Sequence, residues 1–376
     1  MNFLHLGVIL LLTFGGICGT IITKNIVVEG VNMSAKILLS SNKNQYKANL
    51  HCHSTRSDGK LTTEELKALY KANGYDILAI TDHCNPKDHS ALNDENFMLL
   101  TGYEAYIRPS ADGRYNVFAP EVHLNLFAKD PTNEKLICYN EGYTKYIPKE
   151  EHGSLCRVGS EEPRQYTTEY VNEFIKTAND NGYLVAYNHP FWSMESEERV
   201  LSYEGLFSLE MYNTSSFVIN NLENGEALYD LMMRKGIEIG CHAGDDNHNG
   251  SPVGSPYDDS CGWHTVILAD KLEYGSVIEA LEHKDFYASN GPRIKEISVS
   301  DTEEGKTVHL ECTPATKAFM YFGSKSPKHI RLPEGETATS FDFAVHPKAE
   351  YIRISIYDEK GNVANSRGFF RKEWEE

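Results

Sequence analysis

From about Tyr46 the chain alternates strand-like and helix-like stretches, and this alternation restricts the fold more than any other feature. A helix pattern begins at Thr62, where Glu65 completes a capping box, and a buried strand pattern follows at 76–83. Further strand patterns cover 48–52, 97–100, 122–128, 183–187, 206–211, 237–240 and 265–269, and further helix patterns cover 169–181, 223–235 and 276–283. This order, with about seven strands over some 250 residues, predicts an α/β fold with a parallel sheet closed into a TIM-like barrel.

The pattern changes after Pro292. Short alternating runs such as 307–312 and 351–356 are separated by Gly, Asp and Pro, which is typical of antiparallel strands and turns. We therefore expect a barrel domain over 46–292 and a small antiparallel β-domain over 294–372. A polar segment at about 106–165 predicts a long insertion over the barrel mouth, where loops commonly set substrate choice.

The charge balance limits the choice of partners. The 376-residue chain has a formal net charge of −18, which disfavours binding to a nucleic-acid backbone. A small anionic substrate stays compatible with this charge, because bound metal ions would reverse the sign of the field locally. We expect a small-molecule substrate and no nucleic acid, and the sequence indicates no particular oligomeric state.

The cysteines and the first residues leave more than one interpretation open. Eight cysteines without a Cys-x-x-Cys pair indicate free thiols, and Cys138 and Cys156 are the one pair that could form a bridge. Segment 1–32 contains an uncharged apolar run at 3–22, typical of a signal peptide or a single anchor helix. A third interpretation starts translation at Met33, which would make the protein cytoplasmic. The signal peptide predicts an exported protein, and the anchor helix predicts a membrane-anchored one. A membrane is expected as a partner only in the anchor interpretation.

Metal-ligand side chains recur where the predicted strands end, which is the edge at which a parallel barrel forms its active site. His51 and His53 close the first strand, and Asp246 and His248 follow a later one. Residues two apart in a strand point to the same side, so each pair can bind one ion. Nitrogen ligands mixed with carboxylates suit Zn²⁺, Mn²⁺ or Fe²⁺ better than Mg²⁺ or Ca²⁺. The other candidates at strand ends are Asp58, His83, Glu104, His123 and His189.

Five motifs carry a family resemblance. They are Ala-Asn-Leu-His-Cys-His-Ser-Thr-Arg-Ser-Asp-Gly at 48–59, Ile-Thr-Asp-His at 80–83, Gly-Tyr-Glu at 102–104, Asn-His-Pro at 188–190 and Asp-Asp-Asn-His at 245–248. In this order they resemble the PHP (polymerase and histidinol phosphatase) superfamily over about 46–292. Segment 281–292 and the β-tail resemble its carbaryl-hydrolase-like branch, which implies a distorted (β/α)7 barrel before a small β-domain. No polymerase body follows, which excludes the polymerase branch.

The resemblance implies two or three divalent transition-metal ions, Zn, Mn or Fe. By motif position, the first ion takes His51, His53, Glu104 and Asp246, the second shares Glu104 and adds His123 and His189, and the third takes Asp58, His83 and His248. Asp246 is preferred to Asp245 because it gives the Asp-x-His spacing with His248.

The same ions imply hydrolysis by a metal-activated hydroxide, with Asp246 passing a proton to the leaving group. Around the ligands, Asp82 is expected to orient His83, and Glu210 and Asn213 are candidate outer-sphere or substrate groups. His242 and His264 are spare candidates, but a buried, hydrogen-bonded structural role is expected for both.

Three functions follow from this reading. The leading one is a phosphoesterase acting on a small phosphate mono- or diester. The second is a carboxylic or carbamic ester hydrolase with the same metals, and the third is a non-catalytic metal- or carbohydrate-binding protein. A phosphate site should place Arg or Lys near the ions, whereas an ester site should be more apolar. The candidate cations in the insertion are Arg108, Arg114, Arg157 and Arg164.

Overall fold

The computed structural model describes residues 35–110, 112–222 and 224–375. Segment 1–32 and Met33, for which three interpretations are open, lie outside the described residues. The chain from Ala35 onward forms one compact unit. Within the described residues, no helix is long and apolar enough to cross a membrane.

The described residues form twenty strands and seven α-helices. The strands are β1 Lys36–Leu39, β2 Asn44–Asn49, β3 Ile77–Ile80, β4 Met98–Ile107, β5 Val122–Ala128, β6 Leu136–Ile137, β7 Arg157–Val158, β8 Tyr183–Tyr187, β9 Ser208–Asn213, β10 Gly240–Gly244, β11 His264–Ala269, β12 Phe286–Ser289, β13 Ile294–Thr302, β14 Gly305–Ala315, β15 Lys317–Tyr321, β16 Lys328–Arg331, β17 Ala338–Ala344, β18 Tyr351–Tyr357, β19 Val363–Asn365 and β20 Phe369–Phe370. The helices are α1 Thr63–Ala72, α2 Thr168–Asp180, α3 Glu197–Val200, α4 Thr214–Asn220, α5 Glu226–Arg234, α6 Tyr274–His283 and α7 Lys372–Glu375.

The expected α/β fold with a large sheet is confirmed, but one strand runs the other way. Strands β2, β3 and β4 are parallel, and so are β8, β9 and β10. Between them, β5 is antiparallel to both β4 and β8. The prediction of an all-parallel sheet was therefore wrong at β5. The described residues between β4 and β5 form no α-helix, so the chain returns without the crossover that a parallel neighbour requires.

The first and last strands of this run, β2 and β10, are linked by backbone hydrogen bonds between the segments that follow them. The amide of Asp246, just after β10, donates to the carbonyl of His51, just after β2, at 2.9 Å. The amide of His53 donates to the carbonyl of Asn247 at 3.1 Å, and Cys52 and Asn247 form a parallel bridge. These bonds place the metal-ligand motifs of the first and last strands side by side.

The four helices that capping and periodicity predicted are present as α1, α2, α5 and α6, whereas the short helices α3, α4 and α7 were not predicted. Thr62 caps α1, and Glu65 bonds back to the cap amide, so the capping box is confirmed. The predicted strand at 237–240 was displaced, because β10 begins only at Gly240. Residues 237–239 instead form an irregular segment after the turn at Lys235 and Gly236 that ends α5, and the small residues of β10 carry little apolar signal.

The predicted β-rich tail does not pack as an isolated sheet. Strands β13, β14 and β17 pair side by side in this order. Strand β1, from the start of the described chain, pairs with β13 and completes a four-stranded sheet. Strands β18 and β19 continue the large sheet through β12. A shared core of apolar side chains, including Ile297, Leu310 and Ile354, fills the space between these sheets.

Candidate metal centre

Nine side chains predicted as metal ligands come together at one edge of the large sheet. The backbone places them differently: some follow strands, whereas Glu104 and His123 lie inside the long strands β4 and β5. Apart from Asp58 and His248, which are partly exposed, they are buried or nearly so. The nine are His51, His53, Asp58, His83, Glu104, His123, His189, Asp246 and His248.

Tight backbone geometry holds these side chains in position. A Cβ at Gly59 would lie 2.1 Å from the carbonyl oxygen of His53, so only glycine permits this turn. A Cβ at Gly244 would lie 2.7 Å from the Cβ of His51. His189 and Asp246 have positive φ angles of 24° and 53°. Strained backbone of this kind is common where side-chain direction matters for function.

The first predicted ion site is the most compact. The Nε2 atoms of His51 and His53 lie 3.3 Å apart, and Asp246 Oδ1 lies 3.2 Å and 3.0 Å from them. Glu104 Oε1 lies 3.3 Å from His51 Nε2. Atoms that bind one ion at about 2.0–2.2 Å lie about 3–3.5 Å from each other in a tetrahedral arrangement. The spacing of these four side chains therefore fits one transition-metal ion.

The second predicted site extends from the other side of Glu104. Its Oε1 atom lies 2.9 Å from His123 Nδ1 and 3.1 Å from His189 Nε2. These three side chains form a group with ligand atoms within 4.8 Å of one another. Glu104 is thus placed to bridge two ions.

The third predicted site is wider and more exposed. Asp58 lies 3.6 Å from His83 Nε2 and 3.4 Å from His248 Nε2. His53 joins this group, so its ring faces both this site and the first. Tyr146, which was not predicted, donates its hydroxyl to Asp58 Oδ2 at 2.8 Å.

The donor set fits divalent transition metals. Six imidazoles and three carboxylates converge, and three of their atoms, His83 Nδ1, His123 Nε2 and Asp58 Oδ1, are buried without a hydrogen bond. Because buried polar atoms are normally satisfied, this fits a cation site within the cluster. Mixed nitrogen and oxygen donors are the chemistry of Zn²⁺, Mn²⁺ and Fe²⁺.

The electrostatics of the metal-free cluster favour positive charge. Burial alone would raise the pKa of Glu104, but His123 and His51 hold it well below its usual value. Burial would likewise lower the pKa of His123, but Glu104 raises it to about 10. Burial and the charges of His248 and His83 lower the pKa of His53 to about 4.

Two predicted outer residues orient the ligands. Glu210 Oε1 lies 3.0 Å from His51 Nδ1, so this carboxylate fixes the ring whose Nε2 faces the first site. The other Glu210 oxygen accepts from the His189 amide and from Asn213 Nδ2, both at 2.9 Å. Asn213 Nδ2 also lies 3.2 Å from Asp246 Oδ2. Glu210 forms a group with His51 and His189 and could itself reach an ion.

Asp82 has a different role from the predicted one. Its carboxylate accepts from the Ser54 amide and hydroxyl at 2.8 Å and 2.6 Å, and from the Ser57 hydroxyl at 2.6 Å. It therefore ties down the turn after His53 rather than orienting His83.

The two neighbouring histidines outside the cluster are buried in the protein. His242 Nδ1 bonds to the Ser208 hydroxyl at 2.8 Å, and burial lowers the pKa of its ring to about 4. His264 packs edge-on against Tyr75 with a ring separation of 6.1 Å. The seven cysteines that the structure describes are free, so Cys138 and Cys156 do not form the bridge that was considered.

A cavity of about 290 Å³ opens onto the cluster. Arg108 and Lys145 line it, together with four aromatic side chains, Tyr106, Tyr115, Tyr146 and Trp192. Of the four arginines considered in the insertion, Arg108 alone lines this cavity. Arg164 is buried against backbone carbonyls, Arg157 bonds to the carbonyl of His152, and Arg114 is 84% exposed beside Asp112.

Several site residues gave no sequence signal. Glu121 pairs with Arg108 and lies 3.6 Å from His123 Nε2, and Trp192 packs edge-on against His123 and His189. Lys145 and Tyr146 come from the insertion, where no periodic pattern points to the cavity. Of these residues, Trp192 could have been suggested as a site residue by its position, because it lies three residues after His189 in a predicted strand-end loop.

Comparisons with known proteins agree with the motifs. Residues 49–198 match the family model of the PHP domain. A two-domain protein from Bacteroides vulgatus, described as containing a predicted PHP-like metal-dependent phosphoesterase, is 14% identical with a TM-score of 0.43. That alignment covers 90% of this chain and 100% of the other. An amidohydrolase from Chromobacterium violaceum is 18% identical with a TM-score of 0.38, covering 55% of this chain and 90% of the other. At these scores the structural likenesses carry no argument. None of the curated proteins compared matches the chain.

Residues 49–198 are thus similar to the PHP domain, in agreement with the motifs. The residue types and their spacing in the cluster are those that a metal-dependent hydrolase requires.

Proposed function

We propose that the protein is a metal-dependent hydrolase, a phosphoesterase acting on a small phosphate mono- or diester. The observation that carries the proposal is the pair of cations in the cavity wall, Arg108 and Lys145, beside the ligand cluster. In a chain with a net charge of −18, cations placed at the mouth of such a site favour an anionic substrate. A neutral ester carries no charge in its ground state, so its binding would gain less from these cations.

The site rests on a barrel that we infer to be the distorted seven-stranded form. The strands would be β2, β3, β4, β5, β8, β9 and β10, and the backbone bonds between the segments after β2 and β10 support closure. The antiparallel β5 supplies the distortion. In this proposal the barrel domain covers about 46–292 and the β-domain 294–372.

The three ion sites predicted by motif position belong to the same proposal. His51, His53, Glu104 and Asp246 would hold the first ion, and Glu104, His123 and His189 the second. A third would be held by Asp58, His83 and His248, with His53 close by. When bound, such ions supply Lewis acidity, which lowers the pKa of water and neutralises charge on a transferring phosphoryl group.

The chain's own groups would act around these ions. Arg108, whose Nε pairs with Glu121 and whose Nη1 donates to the Gly113 carbonyl, is fixed in place to orient a phosphate. Lys145 is more exposed and adds a mobile positive charge. Asp246, with one carboxylate oxygen facing the histidines and the other near Asn213, is placed to move a proton to the leaving oxygen.

A substrate panel with a matched pair of variants tests the proposal. Phosphomonoesters, phosphodiesters and carboxylic esters are assayed with Mn²⁺ and Zn²⁺, in the unmodified chain and in Lys145→Met. Loss of this cation should raise KM for phosphoesters about tenfold, the value of one charge-assisted contact. Lys149→Met, an exposed lysine of the same insertion that does not line the cavity, should change nothing.

The competing functions make different predictions in the same panel. The aromatic part of the cavity wall favours a carboxylic or carbamic ester hydrolase. Such an enzyme would hydrolyse neutral esters, and Lys145→Met would not change the rate. A non-catalytic binding protein would turn over none of them. The convergence of all nine ligand candidates argues against that third function.

A further inference from the structure

Glu121 lies between a cation of the cavity wall and the second predicted ion site. It directly precedes β5, and its side chain is buried, with 6% exposed. The carboxylate oxygen Oε2 of Glu121 accepts from Arg108 Nε, and the same oxygen lies 3.6 Å from His123 Nε2. One buried oxygen therefore faces a candidate substrate-binding group on one side and a candidate metal ligand on the other.

The ring of His123 faces two carboxylates. Its Nδ1 lies 2.9 Å from Glu104 Oε1, the oxygen that also lies 3.1 Å from His189 Nε2, so Nδ1 is on the side of the second ion site. Its Nε2 is buried and makes no hydrogen bond within the described residues. A histidine that binds a metal through one ring nitrogen normally donates the hydrogen of the other to a carboxylate, a carbonyl or water. Glu121 is the carboxylate in that position.

Two other histidines of the cluster have such an outer partner. Glu210 Oε1 lies 3.0 Å from His51 Nδ1, and the Ser193 hydroxyl lies 3.3 Å from His189 Nδ1. The backbone amide of Glu121 also donates to the carbonyl of Ser193 at 3.0 Å. The backbone of Glu121 is therefore joined to the loop that holds the other histidine of the second site.

The guanidinium of Arg108 is held on several sides. Its Nη1 donates to the Gly113 carbonyl at 2.9 Å, and its centre lies 4.2 Å and 5.2 Å from the ring centres of Tyr106 and Tyr115. With Nε on Glu121, the remaining nitrogen, Nη2, makes no hydrogen bond within the part of the chain that the structure describes. A guanidinium fixed in this way loses little conformational freedom when it binds a phosphate.

We propose that Glu121 is a positioning residue that orients His123 for the second ion and Arg108 for the substrate phosphate. The phosphate part rests on the proposed phosphoesterase function. Among the described residues, the groups of side chains that could hold an ion do not include Glu121, and Glu121 does not line the cavity. It acts through its two partners: its charge favours a proton on His123 Nε2, which leaves Nδ1 free for metal, and it fixes Arg108 Nε.

The variant Glu121→Gln tests both roles, because it removes the charge and keeps the shape. In calorimetric titration of chelator-treated protein with Mn²⁺, one class of sites should weaken about 10- to 100-fold, the usual effect of losing an outer-sphere partner. At saturating Mn²⁺, KM for the phosphoester that is hydrolysed best in the substrate panel should rise about tenfold, the value of one charge-assisted contact. The value of kcat should stay close to that of the unmodified chain.

Two further variants separate the two roles. Arg108→Met should raise KM in the same way and leave the Mn²⁺ titration unchanged, because it removes only the substrate-binding partner. Asp112→Asn is the matched control: it breaks the exposed ion pair with Arg114 in the same connection and should change neither quantity. An unchanged titration for Glu121→Gln would overturn the metal role, and an unchanged KM would overturn the phosphate role. A loss of stability in urea without either change would leave Glu121 a purely structural residue.

A measurement on the unmodified chain does not depend on how the variants fold. With ¹⁵N-labelled histidines and Zn²⁺ bound, NMR should find the proton of His123 on Nε2, whereas that of His51 should be on Nδ1, beside Glu210. The signals of His123 are those absent from His123→Asn. A proton on Nδ1 of His123 would overturn the metal role. If no phosphoester is hydrolysed, the proposed function fails, and the titration and the NMR measurement still decide the metal role of Glu121.

Discussion

Adjacent residues in the motif at 245–248 have opposite environments. Asp246 lies in the ligand cluster with a φ of 53°, whereas the Asp245 carboxylate points into the protein. Asp245 accepts from the hydroxyls of Tyr70 and Thr214 at 2.7 Å and 2.6 Å, and from the Cys261 amide at 2.7 Å. The left-handed turn at Asp246 therefore separates a candidate ligand from a structural carboxylate.

This separation gives a prediction at the residue scale. Asp246→Asn should lower kcat by about 10² to 10⁴, the range for removal of a proton-transfer group, with little change in the free energy of unfolding. Activity is measured at saturating metal, and stability by urea unfolding of the metal-free protein. Asp245→Asn is the control: it should lower the free energy of unfolding by about 1–3 kcal/mol, because an amide cannot accept all the buried donors. A normal rate for Asp246→Asn would show that another carboxylate has the role.

At the scale of elements, the insertion is held onto the large sheet and contributes side chains to the cavity. Arg164 is fully buried and bonds to the carbonyl of Tyr106 at 2.6 Å, which ties the end of the insertion to β4. Its guanidinium lies 4.3 Å from the centre of the Tyr143 ring. The same segment places Tyr146 against His83, with stacked rings 6.0 Å apart. The insertion is therefore part of the site wall.

Tyr146→Phe tests this contribution. The variant keeps the ring but loses the hydroxyl that donates to Asp58 Oδ2, so Asp58 should be less well oriented. We expect metal affinity at the Asp58 site to fall about 10- to 100-fold, the usual effect of losing an outer-sphere partner. Calorimetric titration with Mn²⁺ measures this without relying on activity. Tyr139→Phe, which removes a hydroxyl near His152 in the same insertion, should leave the titration unchanged.

At the scale of the whole molecule, the ligand cluster links many strands. Its residues come from β4, β5 and the segments after β2, β3, β8 and β10, so the site exists only in the folded chain. Ions that bind the folded state alone stabilise it by mass action.

Metal addition should therefore raise the melting temperature. At about 100 times Kd the stabilisation is about 2.7 kcal/mol. Thermal unfolding of chelator-treated protein should shift upward with Zn²⁺ or Mn²⁺ and much less with Mg²⁺ or Ca²⁺, because six of the nine ligand candidates are histidines. An equal shift with Mg²⁺ would contradict the proposed nitrogen-rich coordination.

His264 should contribute to the pH dependence of stability. Burial and the charges of Lys47 and Arg293 lower the pKa of its ring from 6.5 to about 3. Between pH 3 and pH 6.5 the unfolded chain binds one more proton at this ring than the folded chain does. The stability associated with the neutral ring is therefore fully present above about pH 6.5 and is lost as the pH falls toward 3. The slope is at most about 1.4 kcal/mol per pH unit.

The variant His264→Phe isolates this contribution. Urea unfolding between pH 7 and pH 4, with chelator present, should show a shallower loss of stability than in the unmodified chain. The edge-on contact with Tyr75 is retained by the phenyl ring. Parallel pH profiles for the two proteins would show that His264 is already protonated in the fold.

The sequence by itself determined the α/β class, the capping of α1 and the candidate ligands. Periodicity and capping are local properties, and the ligand motifs are short segments that follow strands or lie within them. The tertiary structure decided the direction of β5, the pairing of β1 with β13, and the separation of Asp246 from Asp245. It also decided which insertion side chains reach the cavity. These features depend on contacts between residues far apart in the chain, such as Tyr146 with Asp58, and no local pattern encodes them.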